Sequence, residues 1–490
     1  MSRQFNRNVL LIFLFSIVAF VVMGYHPGIE DDGVYLSAVE NDVHPALFPH
    51  DSEFFRVELQ ATFFDKWVAD FSEGTRIPVP VTELLWQAGS IVLIIFGCWS
   101  IASQLFVEER ARWAGVAMVA AMLTLPVSGT ALYLADQHLH PRNVSTAFIL
   151  LAISRVLAGK RWQAVPLLLV AFLLHPIMAA LGISFCFFLT MALQEPAYVW
   201  LRALRRSPAA LIPLGWLFEP PTPGWRKALE TRTYCYLYRW TWYEWLGVVG
   251  PLFLFWLLWR VAKTRRENLL ARFALAVFIY GVFQQIVALV MITPPSFIRL
   301  MPLQPMRYLQ LMYFFMALVA GALLGKYLLK ARVWRWALFL VLANGVMLTA
   351  QVRLFSGSPH LELPGMKPGN PWLQAFAWVR QNTPTDAYFA LDPYYLERPG
   401  EGYHSFRALA ERSQLADAIK DTAMVTQIPY LAPEWNRQVE AQAGWSHFKL
   451  ADFERLKDKF GVNWVLVSYP QPAGLDCHWH NAQLAVCQVP

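Results

Sequence analysis

The chain has 490 residues, of which 56% are hydrophobic and only 15% charged, with 21 Trp and 34 Phe. Soluble domains carry about 25% charged residues, so this composition excludes an ordinary water-soluble enzyme. The net charge is +7, but Lys and Arg fall in short clusters between apolar runs, which excludes a nucleic-acid surface and leaves a polytopic membrane protein.

A full crossing needs about 20 apolar residues. Residues 9–24 form the first, preceded by Arg3 and Arg7 with no acid among the first eight residues, so the basic end is expected in the cytoplasm. Tyr25-His26-Pro27 is a poor cleavage site, and the segment is expected to stay as an anchor. The outer loop 25–83 follows, and Glu30, Asp31 and Asp32 stand side by side at its start. Carboxylates this close raise one another's pKa, a condition of acid–base and metal sites, although a solvated acidic loop carries the same residues. Pro45 and Pro49 fix a turn presenting Asp51, either toward a ligand or as the cap of a helix starting at Ser52 or Glu53. Residues 54–71, with Glu58 and Asp65, read as one interfacial helix.

Residues 84–106 return to a turn at Glu108-Glu109-Arg110-Ala111-Arg112, and 114–135 leave again as one crossing. That crossing ends in a second polar cluster, Asp136, His138, His140 and Arg142. Alternate spacing in an extended loop points His138 and His140 the same way, which suits a phosphate or a shared metal; an ordinary polar loop is the other reading. Residues 144–158 come back to Lys160 and Arg161. His175-Pro176 breaks 164–193 into two segments meeting near the outer face. An ionisable residue at that depth reads as functional, or as a neutral His bonded to a freed carbonyl.

Arg202, Arg205 and Arg206 then fall inside, and 209–218 counts as a crossing because without it Lys263, Arg265 and Arg266 fall outside. Residues 219–245 are an outer loop rich in Trp and Tyr that also carries Arg226, Lys227, Arg232 and Arg239. After 246–261 and 269–292, Arg299 and Arg307 stand outside against the positive-inside bias. A lipid-linked phosphate held by guanidinium is one reason for that, and headgroup snorkelling is the other. Residues 308–329 and 336–352 complete about eleven crossings, with the N-terminus inside and the C-terminus outside.

From 358 the composition changes, dividing the chain into a membrane part, 1–357, and a C-terminal part, 358–490. Pro359, Pro364, Pro368 and Pro371 mark a linker. Beyond it, 372–383 and 450–460 have helical spacing, while 387–391 and 463–468 read as strands of a small extracytoplasmic α/β domain. Cys98 and Cys186 read as packing residues and Cys235 has no evident partner, whereas Cys477 and Cys487 flank a short hairpin suited to a disulfide. His478 and His480 read as surface histidines rather than a metal pair.

With Asp31-Asp32 in the first outer loop, broken helices at His175-Pro176 and a C-terminal extracytoplasmic domain, the chain resembles the GT-C class of integral-membrane glycosyltransferases. It also resembles a set of bacterial multi-spanning proteins whose first loop carries Pro-x-Leu-[Tyr/Phe]-Pro-x-Asp, matched at 45–51. The GT-C resemblance implies transfer of a sugar from a polyprenyl-phosphate donor to a glycan, lipid or protein acceptor at the outer face of a bacterial plasma membrane, with inversion. It implies that Asp31 or Asp32 is the general base or a metal ligand and that outer arginines hold the donor phosphate. Some members use Mg²⁺ or Mn²⁺, for which Asp32 and His138 are the candidates here. The class has Asp-Glu where this chain has Asp-Asp preceded by Glu30, which leaves the division of roles open. From another class, a non-catalytic membrane protein for transport, assembly or binding of a lipid-linked glycan would use the same residues.

Overall fold

The computed structural model describes residues 2–194 and 220–490. The expected crossing at 209–218 and the cluster Arg202, Arg205 and Arg206 lie outside the described residues. Chain order begins with α1 (Ser2–Met23), then a first loop built of α2 (Asp32–Val43), α3 (Glu53–Leu59) and α4 (Phe64–Thr75). The bundle continues through α5 (Val79–Leu105), α6 (Glu109–Ala121), the hairpin β1 (Pro126–Val127) and β2 (Leu132–Tyr133), α7 (Pro141–Leu157), α8 (Arg161–Leu174) and α9 (Pro176–Leu193). After α10 (Pro223–Glu230) come α11 (Trp242–Thr264), α12 (Asn268–Ile292), two 3₁₀ segments (Pro295–Leu303 and Pro305–Tyr308), α13 (Leu309–Leu324) and α14 (Val333–Leu354).

Among the described residues, seven helical stretches are long and apolar enough to cross a membrane, and α8 is a shorter apolar helix. The protein is a polytopic α-helical membrane protein. Outward side chains on α14, such as Val341 and Val346, are exposed, as side chains that face lipid are. Where helices meet, small residues let backbones approach: a Cβ on Gly321 of α13 would stand 2.5 Å from the Ala114 carbonyl of α6.

Two expected elements differ. The single crossing at 114–135 is instead the short α6 followed by the hairpin, because Pro126 has no amide hydrogen to donate and Gly129 turns the chain at φ +64°. The single interfacial helix at 54–71 is two helices, α3 and α4, interrupted at 60–63.

The C-terminal domain is α/β. Helix α15 (Pro371–Asn382) leads into β3 (Tyr388–Ala390), α16 (Phe406–Ala410), β4 (Ser413–Gln414), α17 (Lys420–Gln427), α18 (Ala432–Ala441), α19 (Leu450–Phe460), β5 (Trp464–Ser468), β6 (Asp476–His480) and β7 (Leu484–Gln488). The sheet order is β4-β3-β5-β7-β6, parallel from β4 to β5 and antiparallel beyond. Alternation along β5 sends Trp464 and Leu466 into one core and Val465 and Val467 into another, so the strand reads as a continuous apolar run. Cys477 and Cys487 are joined by a disulfide across β6 and β7.

The first loop and the C-terminal domain are joined through backbone as well as side chains. Tyr25 exchanges hydrogen bonds with the linker, donating to His360 O at 3.1 Å and accepting from Glu362 N at 2.9 Å. Glu30 N donates to Tyr403 O at 3.0 Å and Ser405 N to Gly28 O at 2.8 Å. Gly33 is needed here, since a Cβ on it would lie 2.5 Å from Ser405 Cβ. Arg407 is fully buried, its Nε 2.6 Å from Asp51 Oδ2 and its Nη1 and Nη2 3.0 and 3.2 Å from the Asp421 carboxylate. Asp51 also accepts from Gln414 N at 3.0 Å. Glu362 accepts from His26 Nδ1 at 2.7 Å and from His404 Nε2 at 3.1 Å.

Arg407→Ala leaves Asp51 and Asp421 buried without a cation, and breaking a buried pair costs about 3–5 kcal/mol; thermal unfolding of the detergent-purified variant is expected to show that loss. Burial alone raises Glu362, but the hydrogen bonds from His26 and His404 outweigh it and take it down to about 2. Its stabilisation is therefore present above the unfolded carboxyl value and lost as pH falls through about 2. Burial pushes His26 below the usual imidazole value despite Glu362, so it favours the fold at neutral pH and disfavours it in acid. Glu362→Gln is expected to be less stable than wild type by about 3 kcal/mol at pH 7, with the gap closing below about pH 4.5. Unfolding midpoints measured from pH 7 to pH 3 check the sign.

Candidate functional site

The site begins with the backbone of residues 133–140, which lies among helices where unpaired amides are costly. Side-chain amides from three helices donate to its carbonyls, and a fourth helix holds a side chain of the loop. Gln87 donates to Asp136 O at 2.8 Å, Asn143 to the same oxygen at 3.2 Å, and Gln310 to Leu134 O at 2.8 Å, while Gln137 is held by Gln351 at 2.8 Å. The loop ends at His140, which caps α7 by accepting from Arg142 N at 2.9 Å. Arg142 then meets Asp136 with both arms of its guanidinium, Nε to Oδ2 at 3.0 Å and Nη2 to Oδ1 at 2.6 Å.

Against this floor stands the start of α2. Asp31 occupies the position before the helix and Asp32 the first helical one, so their side chains diverge by about 100°. Asp31 faces a cleft together with Glu30, Tyr35, His140, Arg142, His175, Arg232, Tyr234, Arg307 and Lys420. Lys420, from α17 of the C-terminal domain, pairs with Glu30 and lies 3.3 Å from Asp31 Oδ1, while His140 Nε2 is 3.5 Å from Asp31 Oδ2. Burial by itself would raise Asp31; Lys420, then His140 and Arg142, outweigh it and hold the carboxyl well below its usual range. Burial, then Arg142, pushes His140 down to about 4, leaving a neutral imidazole. Glu30 sits at φ +52°, in the left-handed region that non-glycine residues rarely adopt.

Two guanidinium nitrogens in this cleft are buried with no hydrogen-bond partner, Arg142 Nη1 and Arg232 Nε. Arg307 has one guanidinium contact in place, Nε to Gln304 Oε1 at 2.7 Å. The cleft shares Glu30, Asp31, Ala131, Leu132, Arg142 and Tyr234 with a groove that runs between α11 and α13. Leu246, Gly250, Leu254 and Met316 line its apolar part, and Asp136 and His138 lie along its polar edge.

Of the residues singled out in the sequence, the cleft and groove bring together Glu30, Asp31, Asp136, His138, His140, Arg142, His175 and Arg307. His138 and His140 do not share one surface: their ring centroids are 5.8 Å apart, and only His140 lines the cleft itself. Three others are elsewhere. Asp32 is 1% exposed and accepts from Gly28 N at 2.6 Å, turned away from the cleft toward Glu83. Asp51 belongs to the Arg407 junction, and Arg299 lies over the Trp225 ring at 5.4 Å. His175 lines the cleft and also caps α9, accepting from Met178 N at 3.4 Å. Among the described residues no group of three or more His, Cys, Asp or Glu converges to hold a metal ion, while His138 is the nearest cationic influence on Asp32. Lys420, Tyr234 and Gln304 were not legible as site residues, because they reach the cleft only through tertiary packing.

No protein-family model matches the chain, and no curated protein sequence matches it. The fold is similar to a solved structure of the archaeal oligosaccharyltransferase AglB from Archaeoglobus fulgidus, in complex with an inhibitory peptide and a dolichol-phosphate. That alignment has a TM-score of 0.48 and 12% identity, over 94% of this chain and 69% of that one. A second A. fulgidus oligosaccharyltransferase structure, in complex with Zn and sulfate, aligns with a TM-score of 0.42 and 13% identity, over 94% and 68%. AglB is a member of the GT-C superfamily. At these values the likeness assigns neither an activity nor a residue.

Asp136→Asn removes one carboxylate charge from a pair in which Arg142 is only 3% exposed at its side chain. The buried guanidinium is then uncompensated, and a stability loss of about 3–5 kcal/mol is expected in thermal unfolding.

Proposed function

We propose that the protein is a glycosyltransferase that moves a sugar from a polyprenyl-phosphate carrier to a glycan, lipid or protein acceptor at the extracytoplasmic face of a bacterial plasma membrane. The observation that carries this reading is the pair of buried, unpartnered guanidinium nitrogens, Arg142 Nη1 and Arg232 Nε, at the head of an apolar groove. Guanidinium groups in that state call for an anion with several oxygens, and the groove beside them suits a hydrocarbon chain. A lipid phosphate has both parts.

The orientation follows from charge. The opposite end of the bundle carries Arg7 paired with Glu109, and Lys326 paired with Glu267 at 2.7 Å, among the basic turns that the positive-inside bias places in the cytoplasm. The cleft and the C-terminal part, 358–490, are then outside. In the reaction, Asp31 is the ionised carboxylate that takes the proton of the acceptor hydroxyl as its oxygen bonds to the sugar carbon. The carbon–oxygen bond to the carrier breaks, its electrons go to the phosphate, and Arg142, Arg232 and Arg307 meet the developing charge. Attack opposite the leaving phosphate inverts the sugar carbon.

One observation favours a second reading. Asp31 is already paired with Lys420, and a carboxylate held well below its usual range is a weak base, which fits a protein that binds a lipid-linked glycan without turning it over. Purified protein in nanodiscs, offered a panel of polyprenyl-phosphate sugars and acceptors, separates the two. Transfer predicts release of polyprenyl phosphate, falling about 100-fold or more in Asp31→Asn, with carrier binding weakened about tenfold or more in Arg307→Ala. Carrier binding that needs Arg307 but never leads to release supports the second reading.

A further inference from the structure

Among the described residues that line the cleft, Lys420 is the cation that comes from the C-terminal domain. Its backbone and its side chain are held in different ways. The main chain is fixed: Asp417 Oδ1 accepts from Ile419 N at 2.7 Å and from Lys420 N at 2.5 Å, and Arg232 of the outer loop donates to the Ile419 carbonyl. The side chain is 12% exposed and reaches back to the first loop, where its ammonium pairs with Glu30 and lies 3.3 Å from Asp31 Oδ1. Burial by itself would lower Lys420, but Glu30 and then Asp31 outweigh it and raise the ammonium above its ordinary value, so the group stays charged. Beside it stand the two unpartnered nitrogens, Arg142 Nη1 and Arg232 Nε. Because Arg232 grips the peptide group just before Lys420, an anion seated on Arg232 arrives next to this lysine.

We propose that Lys420 changes partners: in the empty cleft it neutralises Glu30 and Asp31, and once a carrier phosphate sits on Arg142 and Arg232 it turns to the phosphate oxygens and leaves Asp31 free for the acceptor. This inference rests on the reading of the cleft as a lipid-phosphate site. A lysine suits such an exchange, because its ammonium is a compact charge with three rotatable donors on a flexible four-carbon stem. Arg142, by contrast, is locked to Asp136 through two arms of its guanidinium. A phosphate has the same sign of charge as the two carboxylates and more oxygens to offer, so it competes with them for the ammonium. Glu30 completes the arrangement. It is adjacent to Asp31 and held at φ +52°, and when Lys420 leaves, two neighbouring carboxylates without their cation raise one another's pKa. Asp31 is then a stronger base after the carrier has bound than before it, and binding is ordered, with the carrier first and the acceptor second.

The test measures binding and needs no turnover. Full-length protein in nanodiscs is titrated with geranylgeranyl phosphate, and with geranylgeraniol as the phosphate-free control, for wild type, Asp31→Asn, Lys420→Met and the double variant. Asp31→Asn weakens the pair that Lys420 has to leave, so it is expected to tighten phosphate binding. That gain is expected to be about tenfold larger with Lys420 present than in the Lys420→Met background, where the substitution relieves only the repulsion between carboxylate and phosphate. Equal gains in the two backgrounds overturn the exchange and leave the lipid-phosphate reading standing. Equal binding of the phosphate and the alcohol by wild type removes that reading, and the exchange with it. A structure of the wild-type protein with geranylgeranyl phosphate decides the matter even if Lys420→Met misfolds. Lys420 Nζ is expected on the phosphate and more than about 4 Å from Asp31, and an ammonium still paired with Asp31 beside the bound phosphate overturns the proposal.

Discussion

The position of the charged cleft depends on Arg407. Its guanidinium is buried between Asp51 of the first loop and Asp421 of the C-terminal domain, so a chain that crosses the membrane many times between these residues is closed at one place. A buried guanidinium in the absence of its carboxylates would be prohibitively costly, and the two halves therefore have one relative arrangement that satisfies it. Lys420 is the residue next to Asp421, and the arrangement that pairs Arg407 also carries Lys420 to Asp31. The cleft is in this sense made by two parts of the chain that neither could make alone.

The membrane supplies the second constraint. A polypeptide loop among transmembrane helices must find partners for every backbone group, and residues 133–140 find them in the amides of Gln87, Asn143 and Gln310. These side chains look like isolated polar residues in apolar segments, yet their effect is to hold Asp136, His140 and Arg142 in one geometry. Rigidity of this kind lets Arg142 keep one guanidinium nitrogen unpartnered without the side chain turning to satisfy it.

Helix α2 distributes the acidic residues of the first loop. Asp31 is tied to cations and open to the cleft, with its side chain 40% exposed, whereas Asp32, one residue on, is enclosed and pushed upward by burial toward the environment of Glu83. Neighbouring carboxylates thus have opposite electrostatic surroundings, a separation that follows from the helix geometry alone once the helix begins at Asp32. The same helix then shows its Leu36 and Glu40 face to a second cavity.

Sequence by itself determined the membrane class, most of the apolar segments though not the crossing at 114–135, the break at His175-Pro176, the acidic first loop and an α/β domain at the C-terminus. These follow from local quantities, hydropathy, proline chemistry and periodicity, which need no partner elsewhere in the chain. It also singled out Glu30, Asp31, Asp136, His140, Arg142, His175 and Arg307, because charged residues at membrane depth are conspicuous in composition. Tertiary structure alone decided which of them meet. Asp32 left the cleft, Asp51 and Arg299 found other partners, and Lys420 entered from a domain with no local signal of a site. The physical reason is that the electrostatic role of a carboxylate or guanidinium is set by its nearest charges and by the water removed around it. For Glu30 and Asp31 the cation Lys420 lies 390 and 389 residues away in sequence, and it becomes adjacent only when the helices pack and the C-terminal domain closes on the first loop.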